Sequence, residues 1–182
     1  MRKVIAAINM SIDGFCDHTI GIPDEELHDH YSDLISNADI ILYGRITYQL
    51  MEYWREVLEN PTGHESTDRF ANIIDKIPKI VFSHTLKNLV WNSAELATTE
   101  PEEVVKELKG LKGGNILIGS PGLIAHMTEL QLIDEYQLCI HPVIAGHGLP
   151  LFKNISEIHT LQLFNTKILG SGAIVLYYKS EH

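Results

Sequence analysis

Apolar residues along the chain alternate between short continuous runs and longer stretches in which they return every three or four positions. Val4-Ile5-Ala6-Ala7-Ile8, Ile40-Ile41-Leu42-Tyr43, Ile80-Val81-Phe82 and Ile116-Leu117-Ile118 are too short to be helices. They read as strands buried on both faces. Between them, Leu27, Tyr31, Leu34 and Ile35 recur on one face of a helix that Pro23 opens. Thr47, Met51, Trp54 and Leu58 line one face of the next helix, with Thr47 as its candidate cap. Phe70, Ile73, Ile74 and Ile77 mark a shorter helix that Pro78 stops. Pro101 begins another, with Val104, Val105, Leu108 and Leu111 inward, and residues 122–130 form a further one. The Ile80 and Ile116 runs extend over residues 79–83 and 115–118, and further strands are expected over residues 94–97 and 135–141. The last two, near residues 160–167 and 173–179, flank Gly170-Ser171-Gly172 as a hairpin.

Strands alternating with helices imply a largely parallel sheet, and a closing hairpin adds an antiparallel edge. The pattern therefore predicts an α/β protein with about eight strands and at least four helices. No repeat, low-complexity tract or Gly/Ser/Pro-rich linker interrupts it. The longest irregular stretch is a surface loop near residues 59–66. At 182 residues, residues 1–182 are expected to form one domain, since domains commonly hold about 100–200 residues.

Composition narrows the function classes. An apolar fraction of 45% with 21% charged residues is that of a soluble globular protein. The formal net charge of −10 argues against a nucleic-acid partner, which needs basic clusters, but leaves room for a local anion pocket. Cys16 and Cys139 lack paired spacing and read as buried free thiols in a reducing compartment. The apolar start is too short for a signal peptide, and no stretch approaches the roughly 20 apolar residues of a membrane span. A soluble cytoplasmic protein without a membrane partner is expected. Among the histidines, His28 and His30 are two apart and do not share a helix face. With no Cys pair and no H-E-x-x-H, no metal site is expected. No G-x-S-x-G elbow occurs either.

Candidate chemistry gathers where strands turn into helices. Gly44-Arg45-Ile46-Thr47-Tyr48 follows one strand run, and Gly119-Ser120-Pro121-Gly122-Leu123 follows another. Such turns expose backbone N–H groups at a helix start, where anions bind, and the Arg45 guanidinium suits a phosphate. Ser83-His84-Thr85 follows a third strand, at the carboxyl end where ligands of parallel sheets collect. Each motif has a plain alternative: a helix-starting Gly with a solvated Arg, or ordinary turn residues. Gly146-His147-Gly148 could be a flexible loop beside a cofactor or a surface turn. Asp24, Glu25, Glu26, His28, Asp29 and His30 crowd the first helix. A reductase adding hydride to C=N or C=O needs a proton source near the acceptor, and Asp29 or His28 could supply it. Acids in a first turn also simply favour the helix dipole.

Taken together these residues resemble the dihydrofolate-reductase-like superfamily. The closer match is the group related to the reductase domain of the bacterial bifunctional riboflavin-pathway deaminase-reductase. The resemblance rests on Met10-Ser11-Ile12-Asp13-Gly14-Phe15, Gly44-Arg45-Ile46-Thr47-Tyr48, Lys79-Ile80-Val81-Phe82-Ser83 and Gly119-Ser120. It continues through Leu132-Ile133-Asp134-Glu135-Tyr136 and Pro142-Val143-Ile144-Ala145-Gly146-His147-Gly148-Leu149-Pro150-Leu151-Phe152. It implies a three-layer αβα sandwich around a mostly parallel sheet, NADPH as hydride donor, and a homodimer. It also implies that Gly44, Arg45 and Thr47 hold phosphates and that Ser83 and His84 lie near the adenosine 2′-phosphate. Gly119, Ser120, Gly122 and Leu123 would form the pyrophosphate turn, while Ala7, Asn9, Ile12 and Gly14 would border the nicotinamide.

Two departures stand out. Gly21-Ile22-Pro23 lacks the Trp that folate reductases place before the first helix, and Gly119-Ser120 stands in place of their Gly-Gly pair. The zinc-deaminase motifs H-x-E and P-C-x-x-C are missing as well, so a stand-alone reductase is expected. Three functions follow from the sequence: an NADPH-dependent reductase of a small heterocyclic or carbonyl substrate, a nucleotide-binding or sensor-like protein of the same fold without turnover, and a scaffold without a ligand.

Overall fold

A computed structural model describes residues 2–181. Met1 and His182, the ends of the expected domain, lie outside the described residues. In chain order the elements are β1 (Val4–Ser11), α1 (Glu25–Ser36), β2 (Ala38–Gly44), α2 (Arg45–Met51), α3 (Tyr53–Glu59) and α4 (Glu65–Lys76). β3 (Lys79–Phe82), β4 (Ala94–Leu96), α5 (Pro101–Gly110), β5 (Asn115–Ile118) and α6 (Pro121–Glu129) follow. β6 (Glu135–His141), β7 (Leu161–Ile168) and β8 (Ile174–Ser180) complete the sheet.

The strands form one sheet in the order β4-β3-β2-β5-β1-β6-β8-β7. The pairs from β4 to β6 are parallel, and β8 runs antiparallel to both β6 and β7. The fold is thus the α/β architecture that the hydrophobic pattern predicts, with eight strands among the described residues. The alternation of β1 side chains builds its two cores. Ile5 and Ala7 pack with Leu34 and Ile35 of α1 and Phe70 and Ile74 of α4. Val4, Ala6, Ile8 and Met10 pack with Val105 of α5 and Ile124 and Met127 of α6. Each fully buried aliphatic side chain contributes roughly 1.5–3 kcal/mol by leaving water. Both faces of β1 are apolar for this reason, which is why its run shows no alternation.

Local chemistry moves some boundaries from their expected places. The single helix expected across Thr47 and Leu58 is two helices, because Glu52 makes a tight turn in which its N–H reaches Gln49 O at 3.3 Å. Gly44, not Thr47, occupies the cap position of α2. Asp24 caps α1 by accepting from the Leu27 N–H at 2.7 Å, so Pro23 precedes the cap rather than opening the helix. The loop expected near residues 59–66 is shorter, since α4 already starts at Glu65. The Asp68 carboxylate gathers the Thr62 and Gly63 N–H groups at 2.8 and 3.0 Å and folds that loop onto the helix.

Four carboxylates near the chain start take N–H groups from its last third. Asp13 accepts from Ala145 and Gly146 at 3.0 and 2.7 Å, and Asp17 accepts from Leu149 at 2.8 Å. Asp24 and Glu26 accept from Ser171 and Gly170, both at 2.8 Å. The Ser11 hydroxyl, ahead of the two backbone amides, lowers the Asp13 pKa from 3.8 to about 2. The Gly146-His147-Gly148 loop is therefore tethered at both sides. No helix among the described residues is long and apolar enough to cross a membrane.

Asp13→Ala should release this tether. Hydrogen exchange is expected to be at least about tenfold faster at the Ala145 and Gly146 amides and unchanged in β1. In the wild type the contribution of Asp13 is present above its ordinary pKa of 3.8 and is lost as pH falls through about 2.

Candidate functional site

The carboxyl ends of β3, β2, β5 and β1 stand side by side at one edge of the sheet. At roughly 4.8 Å per strand they form a row about 15 Å wide. The row brings Ser83 and His84, Gly44 and Arg45, Gly119 and Ser120, and Ala7 and Asn9 together in that order. Two of these turns are joined directly, as the Gly44 N–H donates to Ser120 Oγ at 2.8 Å. Gly119 fits closely beneath, for a Cβ there would lie 3.3 Å from the Tyr43 ring and 3.9 Å from the Ala7 carbonyl.

Unequal strand lengths open a notch in this row. β5 ends opposite Ala6, whereas β1 continues beside β6 to the Ser11–His141 pair. Lys3 O accepts from Ile116 on β5 and Val4 O accepts from Asp134 beside β6, so odd-numbered β1 backbone groups face β5. Beyond Ala7, that side of β1 faces the notch.

Helix starts frame the row. Pro121 occupies the first turn of α6 after the Ser120 cap, which leaves the Gly122 and Leu123 N–H groups without helical partners. A Cβ on Gly122 would meet nothing within 4 Å, so the backbone is open to a ligand. Arg45 lies exposed at the start of α2 and donates to Gln49 at 3.0 Å. Thr47 lies further into α2. Ser83 Oγ accepts from the Thr85 and Leu86 amides at 3.2 and 3.0 Å, which is turn chemistry, while His84 is exposed.

The α1 candidates separate. His28 meets Trp54 edge-on at 5.5 Å, with Phe70 4.4 Å from Trp54, and its Nδ1 lies 3.2 Å from Thr67 Oγ1. Burial lowers its pKa. Asp29 faces α4, where it pairs with Arg69 at 3.1 Å; Arg69 also holds Asp33 at 2.7 Å. Ile12 is 62% exposed. It lies on the β6 side, donating to Val143 O at 2.9 Å, and Gly14 turns the chain there with φ +89°.

Helical spacing assigns Tyr31, Trp54 and Phe70 to the core, and no motif assigns His141 a role. Tyr31 follows His28 by three residues, the spacing of one helix face. It donates to Asn9 Oδ1 at 3.1 Å, and His141 Nε2 lies 3.0 Å from the same oxygen. No spacing in the sequence pairs residue 9 with residue 141. Two clefts lie at the opposite, amino edge of the sheet. One, of about 320 Å³, is lined by Lys3, His30, Asn115, Glu135 and Tyr177 among others. The second, of about 450 Å³, lies beside Ala38 and Pro78. Among the described residues no cluster of three or more His, Cys, Asp or Glu could hold a metal ion.

An eight-stranded, mostly parallel sheet closed by an antiparallel hairpin, with glycine turns along its carboxyl edge, has the dihydrofolate-reductase-like α/β fold. The chain belongs to the RibD C-terminal domain family, whose sequence profile matches residues 2–175. It is 30% identical over 181 residues to the uncharacterized protein YyaP of Bacillus subtilis (strain 168), covering 97% of this chain and 94% of that one. A putative riboflavin biosynthesis protein from Shewanella sp. PV-4 shares the fold with a TM-score of 0.73 at 18% identity, over 99% of each chain. So does a Thermotoga maritima diaminohydroxyphosphoribosylaminopyrimidine deaminase/5-amino-6-(5-phosphoribosylamino)uracil reductase, with a TM-score of 0.66 at 14% identity. That match covers 98% of this chain and 56% of the Thermotoga protein.

Three histidines give the fold a pH dependence. Burial, ahead of any charge, lowers His28, His30 and His141 below the ordinary 6.5, His30 to about 4. The folded chain then binds fewer protons than the unfolded chain below pH 6.5. Stability should be full above that value and fall as pH drops toward about 4. Urea midpoints at pH 7.5 and 5 measure this, and equal midpoints would contradict it.

Proposed function

We propose that the chain is an NADPH-dependent reductase that passes hydride to a C=N or C=O bond of a small pyrimidine- or pterin-like heterocycle. Its relative in chemistry would be 5-amino-6-(5-phosphoribosylamino)uracil reductase. The observation carrying this reading is the Gly44–Ser120 junction, which sets two strand-to-helix turns side by side next to the notch. The residues fit the cofactor's anionic parts. The open Gly122 backbone and the α6 amides suit the pyrophosphate, while Arg45, Ser83 and His84 offer donors to phosphate oxygens. When bound, NADPH supplies the hydride.

The chain's own part is to orient the ring and carry a proton. Ala7 and Asn9 line the notch, and the aromatic cluster of Trp54 and Phe70 shields one side of His28 from water. Burial keeps His28 neutral near pH 7, and Thr67 engages its Nδ1. Nε2 is then the atom that exchanges a proton with substrate or water. His28 suits this role better than Asp29, whose carboxylate is committed to Arg69. That same commitment favours the second reading, a nucleotide-binding protein without turnover. Stopped-flow oxidation of bound NADPH by pterins and pyrimidines separates the two. Substrate-dependent oxidation supports the enzyme; binding without any oxidation supports the sensor-like protein.

A homodimer in the cytoplasm completes the reading. Among the described residues no strand pairs with the outer edge of β7, and Leu163, Ile168 and Ile174 are 48%, 73% and 39% exposed on the outer two strands. Long apolar edges of this kind pair with another chain unless covered.

NADPH should raise the melting temperature more than NADH, because binding to the native state stabilises it. Arg45→Ala should weaken NADPH about tenfold, or about 1.4 kcal/mol, without changing the unliganded melting temperature. Unchanged affinity in a titration would remove Arg45 from the site. Ile168→Glu should convert a dimer to a monomer in sedimentation; a wild type that is already monomeric would overturn the assembly.

A further inference from the structure

Asn9 is a polar side chain that β1 sends toward α1 beside the notch, and a backbone group fixes which way round its amide lies. The Ile22 N–H can only donate, and it donates to His141 Nδ1 at 3.1 Å. A neutral imidazole that accepts through Nδ1 carries its proton on Nε2. His141 is fully buried, and burial favours its neutral form. Its Nε2–H points at Asn9, 3.0 Å away, so only an acceptor fits there. The Asn9 oxygen must face His141. The Tyr31 hydroxyl donates to the same oxygen at 3.1 Å, which occupies both lone pairs of Oδ1. Cys139 Sγ, 3.8 Å from His141 Nε2, is a weaker acceptor and does not alter the assignment.

The consequence falls on the other end of the amide. Nδ2 is turned away from His141 and Tyr31 and has no protein partner among the described residues. Asn9 is only partly buried and lies three residues beyond Ala6, the last β1 residue paired with β5. Two N–H donors are thus held in a fixed direction beside the notch, with no acceptor of the protein's own.

We infer that Asn9 is a specificity-determining residue that donates from Nδ2 to a carbonyl oxygen of the bound ligand. Tyr31 and His141 are positioning residues that touch no ligand and act through Asn9. The inference rests on the reductase reading. The carbonyl is the nicotinamide carboxamide or a ring carbonyl of the acceptor, and both present the same lone pairs. A ligand that offers N–H at this place meets two donors and is rejected, because its own donor and those of Asn9 are left unpaired.

The test uses Asn9→Asp, which keeps an oxygen for Tyr31 and His141 and replaces only the NH2. Binding of NADPH, of 2′-phospho-ADP-ribose and of 5,6-diaminouracil at saturating NADP+ is measured for both proteins. A loss of tenfold or more for NADPH, with 2′-phospho-ADP-ribose within twofold, assigns the carboxamide as partner. The same loss confined to 5,6-diaminouracil assigns the acceptor. Tyr31→Phe should reproduce the loss for the same ligand at three- to tenfold, and add nothing on top of Asn9→Asp. Long-range proton–nitrogen NMR of the unliganded wild type should show His141 protonated on Nε2. The opposite tautomer overturns the inference, as does unchanged binding of both NADPH and 5,6-diaminouracil to Asn9→Asp and Asn9→Ala. A wild type that binds neither NADPH nor 2′-phospho-ADP-ribose instead removes the reductase reading, and the Asn9 assignment with it.

Discussion

The unequal reach of the two ladders on β1 is the constraint from which the carboxyl edge follows. Pairing with β6 continues to Ser11, while pairing with β5 stops at Ala6. Had β5 run as far as β6, the backbone beyond Ala7, including the N–H and C=O of Asn9, would be sealed by sheet hydrogen bonds. Because β5 instead turns at Gly119 into α6, the central strand keeps an open side next to a helix start. The adjoining turn at Gly44 is drawn against it by Ser120. Strand length, glycine placement and one serine hydroxyl together make a recess in an otherwise closed sheet.

The central strands were legible because they are buried on both faces, and the exposed β7 was legible only through the Gly170-Ser171-Gly172 turn that precedes β8. Val4–Ser11 and Asn115–Ile118 carry continuous apolar runs, and no competing helical period exists in them. The glycine turns were legible for the same local reason, since Gly44 and Gly119 directly follow such runs. What escaped was set by hydrogen bonds over a few atoms or over most of the chain. Glu52 ends α2 through a single turn whose sequence, Met51-Glu52-Tyr53, reads as good helix. Asp24 takes the cap position one residue after Pro23, the residue that the sequence pattern places at the helix start. Asn9 and His141 are 132 residues apart, and their contact exists only because β1 and β6 pair in one register. Nothing in either residue's neighbourhood announces the other.

Buried polar groups elsewhere show the same dependence on tertiary pairing. Lys79 is 1% exposed, yet its ammonium is met by Ile77 O at 2.8 Å and Ser93 Oγ at 2.9 Å and lies 4.7 Å from the Trp91 ring centre. Tyr48 is buried at the back of α2 and accepts from the Val90 N–H at 2.8 Å. The two side chains fasten the segment between β3 and β4 to the core. Ser83 and His84 at its start are therefore mounted on a restrained connection rather than on a free loop.

The carboxylate tethers carry a consequence for how the molecule is made. Asp13, Asp17, Asp24 and Glu26 reach partners 132 to 147 residues later in the chain. During synthesis the early segment leaves the ribosome with its acceptors unfilled, and they stay so until the final third has been translated. Domains fold as their chain emerges at about 5–20 residues per second. At that rate the segment waits on the order of ten seconds for its partners. The first loop to be synthesised is among the last to become ordered, and a nascent chain lacking its closing strands has a central strand with no finished rim.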